Sequence, residues 1–96
     1  MELIKYADTF KTLSDSNRLR ILSMINKENE ICACKILEQL NITQPTLVYH
    51  MKMLIDVGLV SCYKKGTWCI YKIEKGQLDK VKVFLNDFSF EEGGNK

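Results

Sequence analysis

Thr43-Gln44-Pro45-Thr46-Leu47-Val48-Tyr49-His50-Met51-Lys52-Met53-Leu54 decides how the rest of the chain is read. The run predicts a helix with a capped start and two unlike faces. The Thr43 hydroxyl can accept from a free amide of the first turn. Pro45 falls in that turn, where a missing N–H costs little. Leu47, Met51, Leu54 and Ile55 recur at helical spacing as one apolar stripe. The opposite face carries Thr46, Tyr49, Lys52 and Met53, with Gln44 near the tip. A solvated surface helix has such a face, and so does a helix laid in a DNA major groove. The flanking segments separate the two.

Upstream, Leu3, Ile4, Ala7, Phe10 and Leu13 make an amphipathic first helix. Ser14-Asp15-Ser16-Asn17 is a cluster of capping residues. A second helix follows, with Leu19, Leu22 and Ile25 inward and an end near Asn26-Lys27. Glu30-Ile31-Cys32 is too short to read from pattern and is taken as a brief strand or an extended approach. Residues 33–40 form a short helix with Ile36, Leu37 and Leu40 inward, and Asn41-Ile42 is a turn. Downstream, the decisive helix stops at Gly58. Leu59–Tyr63 and Trp68–Ile73 are strand-like, with Lys64-Lys65-Gly66-Thr67 as the turn between them. A last helix, about Lys75 to Asp87, has Leu78, Val81, Leu85 and Phe88 as its stripe, with Phe84 beside it.

A short helix, a tight turn and a second helix form a helix-turn-helix unit, whose second helix enters the major groove. The basic hairpin after it is a wing that can reach phosphates. The fold class expected is therefore mostly α with a β-hairpin wing: a winged helix-turn-helix over residues 1–90, with a disordered tail at 91–96. Between Thr43 and Lys75, Lys52, Lys64, Lys65, Lys72 and Lys75 stand against Asp56 and Glu74. This local excess says more about a polyanionic partner than the net charge of +2 over the whole 96-residue chain.

No charged-then-apolar leader opens the sequence and no apolar run approaches membrane-spanning length, so a cytoplasmic protein without membrane contact is expected. Cys32, Cys34, Cys62 and Cys69 are then reduced thiols. One histidine, no Gly-rich phosphate loop, no Ser-His-Asp set and no paired carboxylates argue against an enzyme.

Several motifs in order resemble the ArsR/SmtB family of winged-helix repressors of metal-responsive operons, over roughly residues 5–88. Phe10–Leu22 resembles the family's opening run, with Ser16 where proline is usual. Glu30-Ile31-Cys32-Ala33-Cys34 resembles its metal box. Ile42–Leu54 resembles its recognition helix, and Gly58-Leu59-Val60 with Gly66–Tyr71 its wing. The resemblance implies a homodimer, paired through its first and last helices, that represses by binding operator DNA and lets go when a metal or metalloid binds. It implies DNA contacts from Gln44, Thr46, Tyr49 and Lys52, phosphate contact from Thr43, and flanking backbone contacts from Lys64 and Lys65.

Cys32 and Cys34 are the sensor candidates, because thiolates select soft ions: As(III) and Sb(III), or Cd, Pb and Zn. Residues two apart on a helix point about 200° apart, so sharing an ion requires 32–34 to stay extended or unwind. Buried small residues are the bland alternative. Leu37 stands where arsenic sensors often have a third cysteine. Glu30, water, an added thiol or the partner chain would have to complete the site.

Val48 replaces a common serine; it either meets a thymine methyl or widens the core stripe, and the second is expected. Tyr49 replaces a basic residue or histidine. His50 is expected to be packed and hydrogen-bonded. If Lys65-Gly66 is the turn, Cys62 faces Cys69 and the pair can oxidise or hold a soft ion, but two strand-filling residues are the expectation. The alternatives to metal sensing are a repressor answering thiol oxidation at Cys62 and Cys69, or a winged helix acting through protein partners only.

Overall fold

Local signals fix most element ends. The computed structural model describes residues 2–88. Helix α1 (Leu3–Leu13) is followed by α2 (Ser16–Glu28). The Asp15 carboxylate caps α2 by accepting from the amides of Asn17 at 2.8 Å and Arg18 at 3.2 Å. Burial acts to raise the Asp15 carboxyl, but those two amides, with the Arg18 charge behind them, hold it below its usual range. Asn29 ends α2 with φ 69°, a conformation asparagine tolerates better than most residues. Strand β1 (Glu30–Cys32) leads into α3 (Ala33–Gln39), and α4 spans Gln44–Asp56.

The end of α4 is a Schellman motif. Leu59 N–H donates to the Leu54 carbonyl at 3.1 Å and Gly58 N–H to that of Ile55 at 2.9 Å. Gly58 takes φ 80°, which a side chain there would strain. Strands β2 (Val60–Lys65) and β3 (Trp68–Ile73) follow, then α5 (Lys75–Asn86). The sheet is antiparallel in the order β1-β3-β2. Glu30 pairs with Lys72, Cys32 with Ile70 and Val60 with Ile73. The brief strand is thus the third member of the wing sheet.

The core gathers one face from each element: Ile21 and Ile25 of α2, Ile36 of α3, Leu47, Met51 and Leu54 of α4, Ile31 and Tyr71 of the sheet, Val81 of α5. Three expected core positions lie elsewhere. Leu19 is 49% exposed, because the inward line of α2 runs through Ile21 and Ile25. Ile55 and Val48 are also exposed; the α4 stripe is narrower than its apolar residues imply. Helix α2 runs one to two residues past its expected end, and the two-residue turn is Gly66-Thr67, so Lys64 and Lys65 belong to β2. The tail expected at 91–96 lies outside the described residues.

Candidate nucleic-acid interface and cysteine pair

Helix α4 turns Leu47, Met51 and Leu54 into the core and leaves the other side free. Pro45, Tyr49, Lys52 and Asp56 succeed one another at helical spacing along the middle of the exposed face. Thr43, Gln44 and Thr46 are exposed at its N-terminal tip. Thr43 Oγ1 accepts from the Thr46 amide at 3.3 Å and lies 2.9 Å from the Thr46 hydroxyl, so the cap expected of Thr43 forms. Tyr49 and Val48 are each 56% exposed. Val48 therefore joins the outer surface instead of widening the core, and offers a methyl-bearing contact beside Tyr49. Lys52 Nζ lies 3.4 Å from Asp56, an exposed i,i+4 pair worth well under about 1 kcal/mol and easily exchanged for a phosphate.

His50 is buried and accepts at Nδ1 from Arg18 Nη1 at 3.1 Å. The packed, hydrogen-bonded role expected of it is what the structure has. Its partner was not legible: Arg18 reads as one more surface cation near a helix start, yet it is 8% exposed.

On the wing, Lys65 pairs with Trp68 and Lys64 with Cys69. Successive strand residues point to opposite faces, so the two lysines straddle the hairpin near its tip. Both are exposed.

The same register revises the second cysteine pair. Cys62 lies opposite Tyr71, not opposite Cys69. Cys62 and Cys69 are diagonal neighbours on one sheet face. Desolvation, then the adjacent Cys69, pushes the Cys62 thiol up. A raised thiol pKa leaves less thiolate to act as a nucleophile.

Cys32 and Cys34 behave differently. Cys32 is the last residue of β1 and caps α3, its sulfur accepting from the Cys34 amide at 3.1 Å. The two sulfurs are joined as a disulfide, with Cα atoms 5.1 Å apart. The change from extended to helical backbone between them rotates the second side chain toward the first. Sharing a ligand therefore needs no unwinding of α3. Cys32 pairs with Ile70 of β3, so the couple touches both the helix-turn-helix unit and the wing. Glu30 shares the Cys32 face of β1, and its carboxylate accepts from the Tyr63 hydroxyl at 2.7 Å. Among the described residues no three His, Cys, Asp or Glu side chains gather as a ready-made metal site.

Comparison with known proteins places this arrangement. Residues 15–61 match the model of the bacterial regulatory protein, arsR family. An arsenical resistance operon repressor of Staphylococcus aureus is 43% identical over 76 residues, 79% of this chain and 72% of that protein. An uncharacterised helix-turn-helix-type transcriptional regulator of Methanocaldococcus jannaschii is 37% identical over 84% of this chain and 88% of its own length. Among solved structures, an ArsR-like transcriptional regulator from Rhodococcus sp. RHA1 superposes with TM-score 0.76 at 25% identity, covering 88% of this chain and 78% of that one. HlyU from Vibrio cholerae shares the fold, with TM-score 0.72 at 23% identity over 92% and 98% of the two chains. No helix of the described residues is long and apolar enough to cross a membrane. The chain belongs to the arsR family of bacterial regulatory proteins, and is a winged-helix transcriptional repressor rather than an enzyme.

Proposed function

We propose that two copies of this chain repress an operon by holding its operator, and release it when a trivalent arsenical or another thiophilic ion is taken by the reduced Cys32–Cys34 pair. The observation that carries this is the meeting of the two sulfurs where β1 becomes α3. That junction orients the first helix of the DNA-binding unit, and its strand is hydrogen-bonded to the wing. A ligand bridging both sulfurs fixes the angle between sheet and helix, and so gives the two states a differential contact. As(III) and Sb(III) fit the sulfur donors best, with Cd(II), Pb(II) and Zn(II) as further candidates; Glu30, water or a small thiol would complete the coordination. The similarity to arsenical resistance operon repressors supports the metalloids.

In this reading Gln44, Thr46, Tyr49 and Lys52, joined by Val48, face the major groove. Thr43 sits on phosphate, and Lys64 and Lys65 touch the flanking backbone. The second copy covers the apolar side chains that α1 and α5 leave outside: Leu3 is 73% exposed, and Val83, Leu85 and Phe88 are exposed as well.

The test is DNA release under reducing conditions against As(III), Sb(III), Cd(II), Pb(II) and Zn(II). Wild type should release with at least one of them. Cys32→Ser should bind DNA as well as wild type and stay bound. Release of the Cys32→Ser protein by the same ion would sink the sensor assignment.

A further inference from the structure

The most unusual side chain in the molecule is one the DNA-reading surface does not contain. Arg18 lies in the first turn of α2, where a cation opposes the helix dipole. It is buried, and among the described residues it forms no ion pair with a carboxylate. A buried guanidinium is costly unless its N–H groups are used, and they are used across three helices. Nε–H donates to the Thr12 carbonyl at 2.7 Å, a group in the last turn of α1 with no acceptor role inside its own helix. Nη1–H donates to His50 Nδ1 at 3.1 Å. Arginine is donor only, so the His50 proton resides on Nε2. The guanidinium carbon lies 6.0 Å from the centre of the Tyr49 ring, within reach of a cation–π contact. The Tyr49 and His50 rings are themselves 5.7 Å apart.

One rigid planar group thus ties the end of α1, the start of α2 and the middle of α4, and its last contact is a residue on the exposed reading face. We propose that Arg18 is a positioning residue for operator discrimination: it holds the Tyr49–His50 turn of α4 in one pose and so governs sequence preference without touching DNA. The inference rests on α4 being the reading helix. The bonding pattern explains why an arginine is needed. A lysine has no fork to span Thr12 and His50 together. The effect falls on base contacts and not on overall affinity, because the wing lysines and the helix tip are not attached to Arg18.

The probes are a duplex selected by the wild-type protein from a randomised pool and sonicated calf-thymus DNA. Arg18→Met should lose about tenfold in preference for the selected duplex, roughly the discrimination of one base pair, with unchanged affinity and salt slope on calf-thymus DNA. His50→Leu should do the same, and His50→Asn, whose Oδ1 can replace Nδ1 as acceptor, should keep the preference. Arg18→Met combined with Tyr49→Ala should discriminate no worse than Tyr49→Ala alone. If Arg18→Met does not fold, as judged by circular dichroism, the two His50 variants carry the test with Arg18 in place. The proposal is overturned if these variants keep full preference, lose affinity for both DNAs alike, or add their loss in full to that of Tyr49→Ala. A pool with no preferred sequence, or a Tyr49→Ala protein with intact preference, overturns the reading of α4 along with the proposal. Loss in Tyr49→Ala without loss in Arg18→Met strikes the proposal alone.

Discussion

At the scale of single residues, Asp15 and Thr43 act through the same chemistry: each puts a short acceptor just ahead of a helix, where free amides wait for one. The Asp15 carboxyl titrates below its ordinary value of 3.8 in the folded chain. Its contribution is therefore complete above that value and fades as pH falls through the lower, folded one. Asp15→Ala should cost about 1 kcal/mol at neutral pH, and the gap to wild type should close in acid. Urea unfolding at neutral pH and in acid well below 3.8 checks it; an unchanged gap would mean the carboxylate charge plays no part. The caps were legible in the sequence because their chemistry is local; Val48 was misread and the burial of Arg18 went unread for a different reason. Helical phase places a residue to within about 100°, so a valine at the border of a stripe can go either way. An arginine enters a core only through partners far off in sequence.

At the scale of elements, the helix-turn-helix unit was readable because its two helices and turn are contiguous. The wing turn was read as Lys64–Thr67 without fixing its two central residues, since Lys65-Gly66 and Gly66-Thr67 both leave strand-like flanks. Gly66 adopts φ 65° and belongs inside the two-residue turn, which shifts every cross-strand partner and uncouples Cys62 from direct opposition to Cys69. The partner of β1 was equally hidden: its ladder joins residues 30–32 to 70–72, a non-local pairing with no sequence signature. For the wing itself the expectation is uniform loss. Lys65→Ala should weaken binding to all duplexes alike and make the log–log salt slope shallower by about one. A loss confined to one sequence would remove Lys65 from the backbone contacts.

At the scale of the whole molecule, the shape is open for a chain this small. The radius of gyration is 15.4 Å, against about 12 Å for a compact domain of similar length. The terminal helices hold each other through Tyr6 stacked on Phe84 at 4.0 Å and Phe10 tilted against the same ring at 5.9 Å. They still leave Leu3, Ile4, Val83 and Leu85 outside. Exposed apolar side chains on a small domain suit a docking surface, and the family resemblance implies pairing through these same two helices. If the proposed pairing holds, Leu85→Glu should convert dimer to monomer in sedimentation with its helix content kept, because Leu85 is already half in solvent. An unchanged mass would move the dimer surface elsewhere.

The order β1-β3-β2 leaves β2 at the margin of the sheet, with one row of backbone N–H and C=O groups unpaired by any neighbouring strand. Such a margin is a template on which further chains can add and grow into aggregates. Here its tip carries Lys64 and Lys65, whose charges repel a second identical margin. The two lysines thereby oppose growth through the wing, whether or not DNA is present.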